Sequence, residues 1–384
     1  MPRAERPRTA EECAAVLRAC ADAGETVRVR GGGTKDGLGT LQVTAVVLET
    51  AGLGGIIDHV PEDLTVTVGA GTPMAVLRDA LAAHGQFLPL DPPHVDRGAT
   101  IGGVIAANSA GFGRHRYGGV RDLLLGLRAA LPDGTVARAG GRVVKNVAGY
   151  DLNKLYTGSL GTLGVITEAT FKILPIPPVQ RGTSASFATA ADAFGAADAL
   201  VRTSLRPIAI VVERTAERRW RLVVGAAGER GPVDRAVEET ARAAGAHRGT
   251  TEPVADLPAT LERLREVVDD ATEGGVIRVA LPLSTQTAFA EAAMQADRTA
   301  RFVADAACGT AYVQLRGDDA TVRAAADALL ATARVLGGSG RVERAVTGLV
   351  AADGPDPTGA FLMRRLKAAF DPRGILEPAR TVLG

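Results

Sequence analysis

Three consecutive glycines, Gly31, Gly32 and Gly33, followed by Thr34 and Lys35, are the first residues in the chain whose types suit ligand chemistry. A loop without Cβ atoms lets several backbone N–H groups converge on an anion, and Lys35 adds positive charge, so a diphosphate is the natural guest. A solvated turn is written with the same residues. The run is not the dinucleotide fingerprint GxGxxG, because its glycines are consecutive, and not a P-loop, because the GKS or GKT ending is missing. Further loops poor in side chains lie at 69–71, 98–103, 108–119 and 158–164, each beside an expected strand or helix. One extended, flat, polar ligand would account for all of them.

Metal and cluster chemistry find less support. The five histidines, His59, His84, His94, His115 and His247, include no HxxH, HxH or HExxH spacing, so a metal-assisted site is not expected. Cys13, Cys20 and Cys308 are an odd set without a CxxC pair, and alone they can build neither a disulfide framework nor an iron–sulfur or zinc site. A reduced, cytoplasmic compartment fits that usage. Arg278 and Arg316, on expected strands, can pair a substrate carboxylate bidentately or simply be sheet-surface arginines. No general base is identifiable.

The elements that must position these residues follow from periodicity and punctuation. Cys13, Val16, Leu17 and Cys20 recur at helical spacing between Thr9, an N-cap, and Gly24. Strands are expected at 26–30, 45–48 and 64–68, the first running straight into the triple glycine. In the helix that follows the third, Thr72 is expected to cap, Pro73 to take the first helical position, and Leu77 and Leu81 to face inward before Gly85. Residues 86–119, rich in Gly, Pro, Ala and Asn, read as one long functional loop. Strands at 123–130 and 136–139 flank an expected two-residue Asp133-Gly134 turn.

The prolines of residues 174–179 mark a linker. Beyond it, strands at 208–212, 222–224, 276–280 and 312–315 alternate with helices near 190–203, 231–245, 283–299 and 318–335, a second α+β unit in which Trp220 is a core or interface residue. A last helix ends at Phe370, and no internal repeat is visible.

At 384 residues the chain is long enough for two or more packed units. Hydrophobic residues make up 46% of it and charged residues 23%, a globular balance that excludes overall disorder. A net charge of +1, with acids and bases interleaved, leaves no nucleic-acid footprint. The opening residues lack an apolar signal core, and no run of about 18 apolar residues occurs, so neither export nor a membrane span is expected.

The segments RGGGTK, DLTVTVGAGTP, GATIGGVIAAN, GGVRDLLLGLRAALPDG, KNVAGYDLNKLYTGSLGTLGVITEATFKILP and FDPRGILEPAR, in this order, resemble the FAD-linked oxidase superfamily with a vanillyl-alcohol-oxidase or PCMH-type FAD domain. Within it the chain is most similar to the FAD-binding E subunits of glycolate oxidase. The resemblance covers most of 25–178 and the last fifteen residues. It implies an α+β protein: two α/β subdomains holding FAD over 1–178, a ferredoxin-like cap domain over 179–350, and a tail over 351–384 that packs on the FAD domain.

Carried over residue by residue, the resemblance assigns Gly31, Gly32, Gly33, Thr34 and Lys35 to the FAD diphosphate, and Gly69, Gly71 and Thr72 to a second loop near it. Thr100, Gly102 and Gly103 would pack against the flavin. Asn108, Ser109, Gly111, Tyr117, Gly118 and Asp122 fall in the next loops, and Gly161, Thr162, Gly164 and Ile166 meet the adenosine end. Each has a structural alternative, such as turn glycine, helix cap or strand core. Some members tether FAD through a histidine after the glycine run; here Thr34 stands there, which implies non-covalent FAD. Arg380 matches a basic position near the flavin, able to stabilise charge on the reduced ring or to anchor the tail.

The implied activity is that of a subunit in oxidation of glycolate or a similar small 2-hydroxy acid, with a second flavoprotein and an iron–sulfur subunit as partners and cytoplasmic placement, peripheral to a membrane through those partners. A non-catalytic relay or structural subunit, and a stand-alone oxidase, are the alternatives.

Overall fold

The structure, a computed structural model, describes residues 2–38, 43–141, 151–268, 274–345 and 357–377. It divides into two compact units, the first from Met1–Ala110, Gly118–Ile176 and Gly354–Gly384, the second from Gly111–Tyr117 and Pro177–Asp353.

In the first unit, β1 (Arg3–Glu5), β3 (Val46–Glu49) and β2 (Val27–Arg30) form a parallel sheet in the order β1-β3-β2. Helix α1 (Ala10–Ala23) covers it, with Cys13, Leu17 and Cys20 buried against Val27, Val46 and Leu48. Both expected caps are present. The Thr9 hydroxyl accepts from Glu12 N–H at 3.0 Å, and Gly24 leaves the helix at φ 68°, where an L side chain would be strained. Burial pushes the Cys13 thiol up to about 12, so it stays protonated as a small hydrophobe.

A five-stranded antiparallel sheet completes this unit in the order β4-β5-β9-β7-β8, from β4 (Ile56–Val60), β5 (Thr65–Gly69), β7 (Leu124–Ala130), β8 (Val136–Gly140) and β9 (Val165–Lys172). Helices α2 (Met74–Ala82) and α3 (Ile101–Ala107) pack on it through Leu77, Leu81, Ile101 and Ile105. Strands β6 (Gln86–Phe87) and β10 (Leu174–Pro175) pair antiparallel, so the proline-rich segment begins inside the fold.

Three expectations need correction. Thr72 does not cap α2: Pro73 holds the N-cap position, while the Thr72 hydroxyl donates to Gly69 O at 2.7 Å and accepts from Gly55 N–H at 2.9 Å. The turn between β7 and β8 spans three residues, because Leu131 N–H bonds Thr135 O and Gly134 supplies the left-handed position at φ 84°. The loop expected over 86–119 contains α3, whose glycines hide a helix capped by Thr100.

The second unit is one eight-stranded sheet, with β11 (Val179–Phe187), β12 (Ala209–Arg214), β13 (Trp220–Gly228), β14 (Thr250–Val254), β15 (Gly275–Ala280), β16 (Arg301–Asp305), β17 (Thr310–Leu315) and β18 (Ser339–Ala345) in the order β14-β11-β13-β12-β16-β17-β15-β18. With α4 (Arg114–Tyr117), α5 (Val120–Leu123) and α6 (Leu152–Tyr156) preceding them in the chain, its four large helices are α7 (Ala190–Val201), α8 (Arg230–Ala246), α10 (Gln286–Ala296) and α11 (Asp319–Val335). Strands β11 to β14 with α7 and α8 run β-α-β-β-α-β, and β15 to β18 with α10 and α11 repeat the same order. Each half has the ferredoxin-like arrangement, and the two join edge to edge where Val212 of β12 pairs with Ala304 of β16. The sequence shows no repeat, yet the fold contains one: a shared pattern of buried positions needs no shared residues.

The four helices bury one sheet face around Phe194, Trp220, Phe289 and Phe302. Helix α9 (Leu257–Arg265) packs on the other face through Leu257, Leu261 and Leu264 against Val211 and Val223. Trp220 is therefore a core residue, and it is the only tryptophan. Phe302 is fully buried with its ring 5.5 Å from that of Trp220. Replacing it by Ala should cost about 3–5 kcal/mol of this unit's stability, read by urea denaturation followed through Trp220 emission; a loss below about 1 kcal/mol would contradict the packing described.

Candidate functional site

The C-terminal edge of β2 opens into a cleft within the first unit. Its lining includes Val29, the run Gly31 to Asp36, Thr50, Thr100, Gly102, Gly103, Ala106, Ala107, Leu160, Gly161, Gly164 and Ile166. Four separate loops or helix ends thus converge on one space. They are the turn after β2, the residue after β3, the start of α3 and the loop before β9.

Main chain builds the walls. A Cβ on Gly32 would lie 1.8 Å from the carbonyl oxygen of Gly98, and one on Gly71 would lie 1.9 Å from that of Thr50, so both positions require glycine. The first contact seats the glycine turn on the segment entering α3; the second supports the Thr50 wall from behind. Among the described residues, the backbone N–H groups of Gly32, Gly33 and Thr34 have no acceptor in the chain.

Charge and polarity divide along the cleft. At the glycine turn, Asp36 pairs with Arg28 at 3.0 Å and Arg30 at 3.3 Å, which tilts that corner cationic, and Arg28 Nε is buried without a partner. Val29, Ala106, Ala107, Leu160 and Ile166 supply apolar wall. Unpaired amides with guanidinium groups behind them suit a diphosphate, and side-chain-poor apolar walls suit a flat ring. The residues present fit FAD.

Of the expected cofactor residues, Gly31, Gly32, Gly33, Thr34, Lys35, Thr100, Gly102, Gly103, Gly161, Gly164 and Ile166 line the cleft. The others do not line it. Gly69 and Gly71 lie behind the wall, where Cβ atoms would meet the Leu53 and Thr50 carbonyls. Asn108 ends α3 in the left-handed region at φ 47°, and Ser109 N–H closes the same turn onto Val104 O. Asp122 accepts from Gly119 N–H at 2.8 Å, capping α5. Thr162 donates to Ser159 O at 2.7 Å. Gly111 and Tyr117 belong to the second unit, where Gly111 O accepts from Arg114 N–H and Tyr117 closes α4.

Residues that sequence reasoning passed over hold the cleft from its far side. Lys367, on α12 (Pro357–Phe370), sends its ammonium to Thr162 O at 2.8 Å, Leu376 O at 2.7 Å and Asp371 Oδ2 at 2.7 Å. Asp371 also accepts from Ile375 N–H at 3.1 Å and Leu376 N–H at 2.8 Å. Glu377 accepts from Val29 N–H at 2.8 Å and donates its own N–H to Val27 O. Phe370 meets the Tyr156 ring edge-on, and burial pushes the Tyr156 phenol up to about 12. The resemblance carried by FDPRGILEPAR implies a tail packed on the FAD domain, and the hydrogen bonds of Lys367, Asp371 and Glu377 identify the residues that dock it.

In the second unit Arg278 faces Tyr312 across β15 and β17 and Arg341 across β18. Its guanidinium lies 6.0 Å over the Tyr312 ring, Nε is buried without a hydrogen bond, and burial pushes the Tyr312 phenol up. Arg316 is exposed, four residues beyond Tyr312, with its backbone N–H on Asp297 at 3.1 Å, and shares no register position with Arg278. Arg380 and the KNVAGY stretch, 145–150, lie outside the described residues. No helix among the described residues is long and apolar enough to cross a membrane.

Comparison with known proteins bears on this cleft directly. Residues 3–140 match the family described as the FAD binding domain. Over 149 residues the chain is 44% identical to the glycolate oxidase subunit GlcE of Escherichia coli, covering 39% of this chain and 42% of that protein. It is 36% identical over 203 residues to the mitochondrial D-lactate dehydrogenase (cytochrome) 1 of Saccharomyces cerevisiae, covering 52% of this chain and 34% of that one. The chain thus spans less than half the length of these curated relatives. Among solved structures, p-cresol methylhydroxylase with substrate bound superposes with a TM-score of 0.76 at 19% identity, over 98% of this chain and 88% of that one, a likeness of fold. Residues 3–140, from β1 through the glycine turn, α3 and β7, thus match an FAD binding domain, and the cofactor is FAD.

Proposed function

We propose that this chain is the FAD-binding subunit of a glycolate oxidase-like complex, an FAD-dependent oxidoreductase subunit taking part in oxidation of a small 2-hydroxy acid. The observation that carries the reading is the cleft of main-chain walls, fitted to FAD, in a chain 44% identical over 149 residues to a glycolate oxidase subunit. In this reading residues 1–178 are the FAD domain, 179–350 the cap domain, and 351–384 a tail returning to the FAD domain. Gly32, Gly33 and Thr34 offer amides to the diphosphate, and Lys35, Arg28 and Arg30 set the field there. Thr100, Gly102, Gly103, Leu160 and Ile166 leave a smooth slot for the flat rings.

Bound FAD would supply a two-electron acceptor for the hydride of an alcohol carbon. Arg278 is the side chain of the second unit best suited to hold a carboxylate, because its Nε is already stripped of water and has no partner. Electrons would leave through other chains, a second flavoprotein and an iron–sulfur subunit. The outer side of α12 supports such contacts: Phe361, Leu362, Met363 and Leu366 are exposed, and Arg364 beside them has no acidic partner among the described residues. The second reading, a relay subunit beside a separate catalytic flavoprotein, is favoured by the lack of any identifiable base.

Anaerobic mixing separates the two. If this subunit oxidises substrate itself, glycolate or D-lactate bleaches its flavin band. A flavin that stays oxidised until partner subunits are added assigns the oxidation to them.

Gly32→Ala drives a methyl into the Gly98 carbonyl, so the variant should purify with well under half the wild-type flavin while Trp220 emission is unchanged. Full flavin occupancy would remove the glycine turn from the binding site. Thr34 cannot form a histidyl-flavin bond, so acid precipitation should release all the flavin into the supernatant; yellow colour retained in the pellet would overturn non-covalent binding.

A further inference from the structure

We propose that the Lys367–Asp371 pair is a positioning device for FAD: it straps the C-terminal tail across the back of the cleft, so that tail docking and FAD binding strengthen one another. The inference deepens the reading of the cleft as the FAD site and rests on it.

The geometry makes the pair a junction. An ammonium has three N–H donors, and Lys367 spends all three, on Thr162 O, Leu376 O and Asp371 Oδ2. The Asp371 side chain is fully buried, that of Lys367 17% exposed. Asp371 takes Lys367 on one oxygen together with Leu376 N–H, and Ile375 N–H on the other. One ion pair therefore fixes three things at once: the register of α12, the turn through 375–376, and the loop that carries Gly161 and Gly164 into the cleft.

The strapped segment then reaches the opposite wall. Leu376 bridges Val27 in parallel, Val27 N–H donates to Ile375 O at 2.7 Å, and Glu377 takes Val29 N–H at 2.8 Å. These bonds extend the β1-β3-β2 sheet by a fragment of strand along β2, the strand that delivers the glycine turn. A Cβ on Gly161 would lie 3.6 Å from Glu377 Cγ and 3.7 Å from Val29 Cβ, so the tail, β2 and the loop before β9 meet at one point of the cleft wall. The tail is thus the only described segment bonded both to β2 and to the 158–164 loop by side chains that neither wall supplies. Spacing between those walls sets the span that FAD must bridge from the glycine turn to the 158–164 loop. A ligand that favours the docked spacing must, by linkage, favour the docked tail equally.

The test uses the full chain, stripped of flavin and titrated with FAD, with hydrogen exchange read peptide by peptide. In the wild type, saturating FAD should slow exchange in 371–377 as well as in 31–35 and 158–164. Asp371→Ala should weaken FAD binding by about tenfold or more, within the usual range of such couplings, and abolish the FAD-dependent protection of 371–377, with the exchange of β11–β18 peptides unchanged. Asp371→Asn, which keeps one acceptor oxygen for either Ile375 or Leu376 and removes the charge, should fall between. A merely structural pair would lower stability of apo and FAD-loaded protein alike and leave affinity within twofold, which would overturn the proposal. Should the alanine variant not fold, the wild-type exchange decides: protection of 31–35 without protection of 371–377 overturns the strap alone, whereas no protection of 31–35 removes the cleft as the FAD site.

Discussion

Of the places in the first unit where a carbonyl oxygen occupies the volume in which a side chain would begin, the two tightest hold the cleft: that of Gly98 against Gly32 and that of Thr50 against Gly71. Everything around the cleft follows from these contacts. Because the turn after β2 rests directly on the segment entering α3, its amides face outward with no side chain between them and a ligand. Because Gly71 lies flush on Thr50, β3 and β5, which belong to different sheets, are held at backbone distance. A single methyl at either point must separate them. Ligand binding by main chain is insensitive to most side-chain changes and intolerant of these few.

The second unit meets a different constraint, that of a sheet with apolar layers on both faces and charges within one of them. Glu213, 3% exposed, sits on the α9 side of β12 and receives Arg263 at 2.9 and 3.2 Å and Arg221 at 2.7 Å from its Nε. Such a carboxylate is tolerable only because guanidinium groups satisfy it from two elements. Arg278, on the same sheet, is the contrasting case: an aromatic neighbour in place of a carboxylate, and an Nε with nothing to bond. A buried polar atom in that condition is rare in a folded protein and marks strain, a bound water or a ligand contact. The doubled β-α-β-β-α-β order supplies a broad, stiff surface to carry them.

Much of this was legible in the residues. The caps of α1, the inward faces of Leu77 and Leu81, and the four large helices of the second unit follow from periodicity and punctuation that the structure retains. Polar or interrupted strands were not legible: β11 reads VQRGTSASF, and β14 contains Pro253, tolerated because β14 is an edge. Helix α3 was hidden by two glycines in seven residues, one of which, Gly102, lets it approach Ala70. In the cleft, the glycine turn and GTLG announced themselves by composition. Leu160, Ala106 and Thr50 could not, since their place in the lining depends on which loops meet. Nor did composition distinguish glycines that face the cleft from those that let its walls touch.

The tail shows why a charged pair stands where an apolar one would pack. Replacing a buried ion pair with hydrophobic residues of similar volume is often neutral or stabilising, whereas removing one partner costs about 3–5 kcal/mol. Stability alone therefore does not account for Lys367 and Asp371. What an apolar pair could not do is choose among carbonyls. Thr162 O and Leu376 O sit at fixed points of two loops, and an ammonium already aimed by Asp371 has two hydrogens left for them. Leu or Met in that space would accept a loop displaced by a residue's width, while the ammonium does not. The charge sets register, and register at this point is the distance between the glycine turn after β2 and the loop before β9.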